Sequence, residues 1–390
     1  MKIKISILGS TGSIGSTTLK IIDKKKSSFS VFLLSSNKNY KIICEQIDKY
    51  KPKFFIISNE KTFLKVKKKM IKSKTKLLNF FDQKKIMKCD VTVSSIPGIA
   101  GLKPTLLMLE KSKKVLIANK ESVICAWDII KKKSKKFNTK IIPIDSEHFS
   151  IFELLKNQQI KNVEKIYLTA SGGPFLNYKI KNLKNVSVEK ALNHPKWNMG
   201  KKITIDSATL LNKMFELIEA QKMFDIPLKK LDIIIHPNSL VHAIIKLKNG
   251  LTHFIYHETT MMIPIANALF GDYFNFKKFL KKKEKYSKCP LDNLEFRKVD
   301  SKIFPIFKLK NRVNEHYSTP IILNSANETL VDLYLKKKIK YLDITKTIFK
   351  IMDDRNYRKY AIRRPNNLKE ILIIDDWAKN ITMRILKDYV

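Results

Sequence analysis

Between positions 194 and 219 the chain reads HPKWNMGKKITIDSATLLNKMFELIE, and this stretch gathers side chains suited to hold a charged small molecule. Asn212, Lys213, Glu216 and Glu219 lie three or four apart, so a helix presents them on one face: an amide, a cation and two carboxylates. Ser207 stands just ahead, where a helix N-terminus and a hydroxyl together suit an anion. Read alone, the spacing equally describes a solvated helix with one i,i+3 Lys–Glu pair. A second acidic cluster, Asp145-Ser146-Glu147-His148, follows the apolar run 140–144. In an extended chain Asp145 and Glu147 project from one face and His148 from the other. Paired carboxylates repel and favour a cation, and hard oxygen ligands without nearby cysteine point to Mg²⁺ or Mn²⁺. Glu216 would complete a three-carboxylate set.

These residues need a frame. Residues 2–8 read as a buried strand running into Gly9-Ser-Thr-Gly12-Ser-Ile-Gly15 and then an amphipathic run. Strand, glycine turn and helix together form the context of a dinucleotide site, where glycines let a pyrophosphate approach the helix N-terminus. The expected second strand, 31–34, is followed by Ser35-Ser36-Asn37-Lys38-Asn39. The acid that binds a ribose 2′-OH in NAD enzymes is missing there, which favours NADP. Strands at 53–57, 91–95, 115–118 and 140–144 alternate with helical stretches, so the first part reads as a parallel α/β sheet. Asn119-Lys120-Glu121-Ser122 ends one strand, where such sheets bind ligands; a structural cap is the alternative for Asn119.

Further on, a strand at 166–169 ends in Ser171-Gly172-Gly173-Pro174, an anion-binding turn or a plain one. Residues 175–201 are polar and lysine-rich and read as a mobile lid. A short strand is expected at 203–205, with Asp206-Ser207 capping the next helix. A strand at 231–235, a hairpin over 243–256, a basic linker at 277–288 and a helical region from 304 complete the chain. Within that last region Asp343 is a capping signal.

At 390 residues the chain can build two or three domains, and 44% hydrophobic content is that of a globular protein. No apolar run is long enough to span a bilayer, and the alternating start reads as a strand, not a signal peptide. Cys44, Cys89, Cys125 and Cys289 show no metal spacing, which fits a reducing cytoplasm. The net charge of +42 comes from 70 lysines spread along the chain and seven arginines, all beyond position 296. Dispersed lysine without arginine or aromatic clustering reads as compositional drift, so no specific nucleic acid is expected.

The motifs GSTGSIG, ANKES, DSEH, SGGPF, HPKWNMGKKITIDSATLLNK–E, HPNSLVH and NSANE run in order over residues 9 to about 328. As a set the chain resembles the 1-deoxy-D-xylulose 5-phosphate reductoisomerases. The resemblance implies conversion of that sugar phosphate and NADPH to 2-C-methyl-D-erythritol 4-phosphate, a step of isoprenoid precursor synthesis. It implies a homodimer with a Rossmann-like NADPH domain (1–144) and a catalytic and dimerisation domain (145–276) with a lid near 171–201. A linker (277–303) and a C-terminal helical domain (304–390) follow.

Carried over by motif, Asp145, Glu147 and Glu216 would ligate Mg²⁺ or Mn²⁺, with Co²⁺ an alternative. Ser146, Glu147, Ser171, His194, Ser207, Asn212, Lys213 and Glu216 would bind substrate, with Glu147, Lys213 and His194 catalytic and Trp197 and Met199 covering it. Thr11, Gly12, Ser13, Ile14, Asn37, Lys38, Asn39, Asn119, Lys120, Glu121 and Gly200 would line the NADPH site, and His242 would lie at the edge of the active site. Three departures stand out. The family's Gly-x-Pro-Asp-Met-Arg reads His257-Glu258-Thr259-Thr260-Met261-Met262 here, its Ala-Gly before the 2′-phosphate loop reads Ser36-Asn37, and its Arg after Met-Gly is Lys201. Asn tolerates a left-handed turn, and Lys keeps the charge of Arg but loses its fork.

The chemistry fits the residues: a divalent ion polarises a carbonyl and a neighbouring hydroxyl, the carbon skeleton rearranges, and NADPH supplies hydride. A metal-free semialdehyde or homoserine dehydrogenase is the nearest rival and needs a catalytic Cys or a Lys/Asp pair. A basic nucleic-acid binder is the other and needs a clustered basic face.

Overall fold

Ile5, Ile7 and Leu8 are fully buried in the first strand, and so is Ser6 between them. A strand buried on both faces belongs inside a parallel sheet. The computed structural model describes residues 2–271, 274–276 and 294–387. Contacts group these into two units. The first holds residues up to 122, 128–149 and the described residues of 261–276; the second holds 123–127, 150–260 and the described residues from 294 onward. The basic linker expected at 277–288, with Cys289, lies outside the described residues.

The first unit is built on β1 (Ile3–Leu8), α1 (Ser13–Asp23), β2 (Phe29–Ser36), α2 (Tyr40–Tyr50), β3 (Phe54–Ile57), α3 (Glu60–Lys69), β4 (Lys76–Leu78), β5 (Cys89–Ser94), α4 (Leu102–Lys111), β6 (Ser112–Ile117), α5 (Lys120–Phe137), β7 (Lys140–Pro143) and the start of α6 (Ser146–Leu155). All seven strands are parallel, in the order β4-β3-β2-β1-β5-β6-β7. The chain winds outward in both directions from β1 and β5. This creates a topological switch point at their carboxyl ends, the place where such sheets bind ligands. Leu19, Ile21 and Ile22 form the buried stripe of α1. The three-residue β4 was not expected; its lysine and short length hide it from pattern reading.

The second unit carries the rest: β8 (Val163–Ala170), α7 (Val188–Leu192), α8 (Lys201–Ala208), α9 (Leu211–Phe224), β9 (Leu231–Ile235), β10 (Val241–Leu247) and β11 (Thr252–Tyr256). After α10 (Met262–Phe270), which belongs to the first unit, come β12 (Arg297–Lys298), α11 (Thr319–Leu335), α12 (Tyr341–Met352), α13 (Tyr357–Ala361) and α14 (Leu368–Lys387). Its mixed sheet has the order β11-β10-β8-β9-β12. The hairpin expected over 243–256 is β10–β11. The C-terminal helices group with this sheet, and α11 is buried along most of its length. Asp343 sits inside the first turn of α12, where its carboxylate accepts the Lys340 N–H at 2.8 Å. No described helix is long and apolar enough to cross a membrane.

Candidate active site

In the first unit the glycine turn follows β1. A side chain on Gly15 would strike the Gly9 carbonyl oxygen at 2.3 Å, so this glycine lets α1 seat on the turn. Gly12 faces nothing closer than 3.4 Å. Packing alone does not require a glycine there, and Gly12 directly precedes Ser13 and Ile14 at the N-terminus of α1. Thr11 Oγ1 lies 2.7 Å from Ser36 Oγ and ties the turn to the end of β2. Asn37, Lys38 and Asn39 are exposed beyond it. Asn39 caps α2, and none of the three has a positive φ, so the turn closes without the left-handed residue allowed for at Asn37.

Asn119 braces this end of the sheet. Its Nδ2 donates to the Ile96 carbonyl at 2.7 Å and the Gly98 carbonyl at 3.1 Å, and its Oδ1 accepts the Ser122 N–H at 2.9 Å. Its amide also donates to Glu121 Oε2 at 2.8 Å. The structural cap weighed for Asn119 is therefore present, at the N-terminus of α5.

Asp145 and Glu147 do not share an extended strand. β7 ends at Pro143 and α6 begins at Ser146, with the Asp145 carbonyl accepting the Phe149 N–H. The turn of helix carries His148 round to Asp145, with Nδ1 at 3.5 Å from Oδ2, instead of away from it. Ser146 Oγ donates to Glu147 Oε2 at 2.6 Å. Lys120, expected at the cofactor, forms an ion pair with Asp145. Burial opposes the charge on Asp145, but Lys120 and His148 outweigh it and hold the carboxyl well below the ordinary range.

The second unit holds Ser171, His194, Ser207, Asn212, Lys213 and Glu216. Gly173 has φ +62°, and a side chain on it would meet the Ser207 carbonyl oxygen at 3.0 Å. The Ser171-Gly-Gly turn thus lies against the end of α8, near Ser207. Ser171 Oγ accepts the Gly173 N–H at 3.1 Å and lies 3.0 Å from His194 Nε2. His194 Nδ1 accepts the backbone N–H groups of Lys196 at 3.2 Å and Trp197 at 2.9 Å. An accepting Nδ1 puts the ring proton on Nε2, facing Ser171. Burial, and then the Lys213 charge, push the His194 pKa down to about 4, so the imidazole is neutral near pH 7.

Residues 203–205 are not a strand: α8 spans Lys201–Ala208. Lys202 and Asp206, one turn apart, form a salt bridge at 2.9 Å, and Asp206 Oδ1 accepts from Asn327 of α11 at 2.7 Å. Those side chains would separate in a strand. Asp206 therefore fastens α8, and the next helix starts after Leu210 instead, which turns the chain with φ 67°. A buried leucine in that conformation costs of order 1–3 kcal/mol and persists where packing demands it. On α9, Asn212 Nδ2 donates to Glu216 Oε1 at 2.6 Å and Lys213 Nζ to Oε2 at 2.7 Å. Lys213 and Glu216 are both buried. Asn212 Oδ1 is buried with no hydrogen-bond partner among the described residues, an acceptor suited to a ligand hydroxyl.

The stretch 175–201 is more anchored than its polarity implied. Phe175, Leu183, Val186, Val188 and Ala191 are buried, Tyr334 Oη bonds the Val186 carbonyl, and Glu189 pairs with Lys337. Residues 176–179, 186–187 and 193–200 lack helix, and the last of these is the longest such run. Gly200, extended and exposed, precedes α8 with open space around it. Met199 is half-buried. Sequence reading held Asn327 only as part of the NSANE motif and missed its bond to Asp206 and the Lys120–Asp145 pair, because long-range polar partners leave no local pattern. Cys89 is buried against the hydroxyls of Thr92 and Ser112, which leaves the rival's catalytic thiol without support there.

A parallel sheet with a glycine turn at its switch point, joined to a unit lined with hydroxyls, ammonium and carboxylate, defines a dinucleotide-dependent α/β oxidoreductase. Comparison with known proteins narrows this. Residues 5–127 match the family model described as 1-deoxy-D-xylulose 5-phosphate reductoisomerase, and 141–224 and 258–381 match the models of its C-terminal domains. The chain belongs to the 1-deoxy-D-xylulose 5-phosphate reductoisomerase family. It is 47% identical over 381 residues to the Pelagibacter ubique reductoisomerase, covering 96% of this chain and 97% of that one. The Zymomonas mobilis enzyme in complex with NADPH aligns with TM-score 0.86 at 31% identity over 99% of both chains. A reductoisomerase in complex with NADPH, fosmidomycin and magnesium aligns with TM-score 0.89 at 31% identity over 99% of this chain and 98% of that one.

Proposed function

We propose that this chain carries out the reaction of its family: it converts 1-deoxy-D-xylulose 5-phosphate and NADPH to 2-C-methyl-D-erythritol 4-phosphate with a divalent metal. The observation that carries this reading is the chemistry of the two residue sets in a chain that aligns with named reductoisomerases over 96% and 99% of its residues. Hard oxygen donors stand at Asp145, Glu147 and Glu216, and a hydroxyl, imidazole and ammonium set suited to a sugar phosphate stands in the second unit.

Asp145, Glu147 and Glu216 hold the metal in this reading. The donor set fits: it is all carboxylate oxygen, and Asp145 and Glu216 each already carry a lysine as a counter-charge. Bound there, Mg²⁺ or Mn²⁺, with Co²⁺ as an alternative, supplies Lewis acidity. Ser171, Ser207, His194 and Lys213 bind the phosphate and neighbouring oxygens, His194 as a neutral donor. Asn212 Oδ1 accepts a substrate hydroxyl, Ser146 binds beside the carboxylates, and Trp197 and Met199 cover the substrate and exclude water.

Gly12, Ser13 and Ile14 would hold the pyrophosphate of NADPH, which supplies the hydride. Asn37, Lys38 and Asn39 meet the 2′-phosphate, and Lys120, Glu121 and Gly200 complete the site. In this reading residues 1–144 form the NADPH domain, and the protein works as a cytoplasmic homodimer without a specific nucleic-acid partner. RNA binding, where it occurs, is weak and falls steeply with salt. NADPH oxidation upon addition of the sugar phosphate tests the reading, and a chain that oxidises NADPH only with an unrelated semialdehyde contradicts it.

A further inference from the structure

One histidine in the second unit has no part in this scheme. His257 follows β11, and its backbone N–H bonds the Leu240 carbonyl at 2.9 Å, prolonging the β10–β11 ladder by one step. Across that step stands His242. The ladder pairs Val241 with Tyr256 and Ala243 with Ile255, so His242 is the extra residue of a bulge. Bulges re-aim a side chain, and this one turns His242 toward its neighbour. The two imidazoles stack with centroids 3.8 Å apart and planes 18° off parallel. Both are buried. His242 Nε2 lies 3.2 Å from the His257 carbonyl oxygen, and His257 Nδ1 lies 2.8 Å from the Glu258 carbonyl oxygen. A carbonyl only accepts, so each of these ring nitrogens carries its proton and donates. Each ring is thereby locked in plane.

The His242 end of this stack meets Trp197. The indole stands edge-on to His242, with centroids 6.0 Å apart and planes at 72°, a favourable arrangement for aromatic rings. Trp197 lies in the 193–200 segment that lacks helix, so two contacts place it: its backbone N–H on His194 and its ring on His242.

We propose that His257 is a positioning residue for the sugar phosphate: it backs His242, which orients Trp197 over the substrate. The inference rests on the reading that Trp197 covers the substrate. Where this chain departs from the family's Gly-x-Pro-Asp-Met-Arg stretch, it has thus gained a third ring behind the cover.

The test is a double-mutant cycle between His257→Gly and Trp197→Ala in the full-length enzyme, read by steady-state kinetics. His257→Gly raises KM for the sugar phosphate roughly three- to tenfold, the size of one lost aromatic contact, and leaves KM for NADPH unchanged. In the Trp197→Ala background it adds less than about twofold, because the group it orients is gone. His257→Phe, which restores a ring face, keeps KM within about twofold of wild type. Should the glycine variant melt below assay temperature, His257→Leu, which fills the space without a π face, takes its place in the cycle. An equal rise in KM with and without Trp197, or a Phe variant as impaired as the Gly variant, overturns the proposal. If Trp197→Ala alone leaves KM for the sugar phosphate unchanged, the covering role itself fails and the inference falls with it. If Trp197→Ala raises KM and His257→Gly does not, the inference alone fails.

Discussion

His194 accepts the backbone N–H of Trp197 on Nδ1 at 2.9 Å, so one imidazole fixes the loop on one side and faces Ser171 on the other. This works only while the ring is neutral. Burial and the Lys213 charge push its pKa from the ordinary 6.5 to about 4. Between those values the unfolded chain binds more protons, so stability rises with pH there. The contribution of His194 is complete above pH 6.5 and is lost as pH falls toward 4. Proton NMR of the ring should place the titration near 4, and Lys213→Gln should move it upward. A midpoint near 6.5 in the folded protein would contradict this electrostatic account.

The end of β2 and the loop after it offer a serine, an amide and a lysine where an acid would select NADH. Asn37→Asp should lower kcat/KM for NADPH by roughly tenfold or more, about 1.4 kcal/mol of like-charge repulsion with the 2′-phosphate. The NADH rate should change far less. Equal use of both cofactors by the wild type would show that this loop does not discriminate.

Limited trypsin digestion separates the anchored from the free part of the 175–201 stretch. Lys181, Lys184 and Lys190 lie in a segment pinned by Tyr334 and Lys337 and should be cut slowly in the free enzyme. Lys196 and Lys201 should be cut first. Metal, NADPH and a phosphonate hydroxamate together should protect them, as contacts to Trp197 and His194 order the loop. Cleavage at Lys196 at the same rate with and without these ligands would remove the covering role.

Six strands of the parallel sheet were legible because each is a short apolar run and each turn carries its own glycine or polar signal; the three-residue β4 was not. The shared face of Asn212, Lys213 and Glu216 was legible because i,i+3 and i,i+4 spacing holds on any helix, whereas the extended-strand geometry expected for Asp145 and Glu147 gave way to the first turn of α6. Residues 203–205 misled because alternation over three residues cannot outweigh a helical Lys202–Asp206 pair completed by Asn327, more than a hundred positions away. The lid was overdrawn for a related reason. Leu183, Val186 and Val188 are sparse in sequence, and Tyr334, which bonds the Val186 carbonyl, lies on the later helix α11. His257 stood out in the sequence only as a departure from the family's stretch, and its stack on His242 was not legible, since a ring stack across a bulge has no sequence period.

Glu216 receives two hydrogen bonds, from Asn212 and Lys213, that hold both its oxygens in place. Glu216→Gln removes the charge and keeps the shape. Turnover should fall by roughly a hundredfold or more, because Lewis-acid stabilisation is worth several kcal/mol. Near-normal rates at saturating Mn²⁺ would count against Glu216 as a ligand.

The most direct measurement follows NADPH absorbance on addition of 1-deoxy-D-xylulose 5-phosphate, first with Mg²⁺, then with EDTA, then with Mg²⁺ or Mn²⁺ restored in excess. The account predicts oxidation in the first case, its loss in the second and its recovery in the third, with 2-C-methyl-D-erythritol 4-phosphate as product. Oxidation that persists in EDTA, or none with this substrate in Mg²⁺, would contradict it.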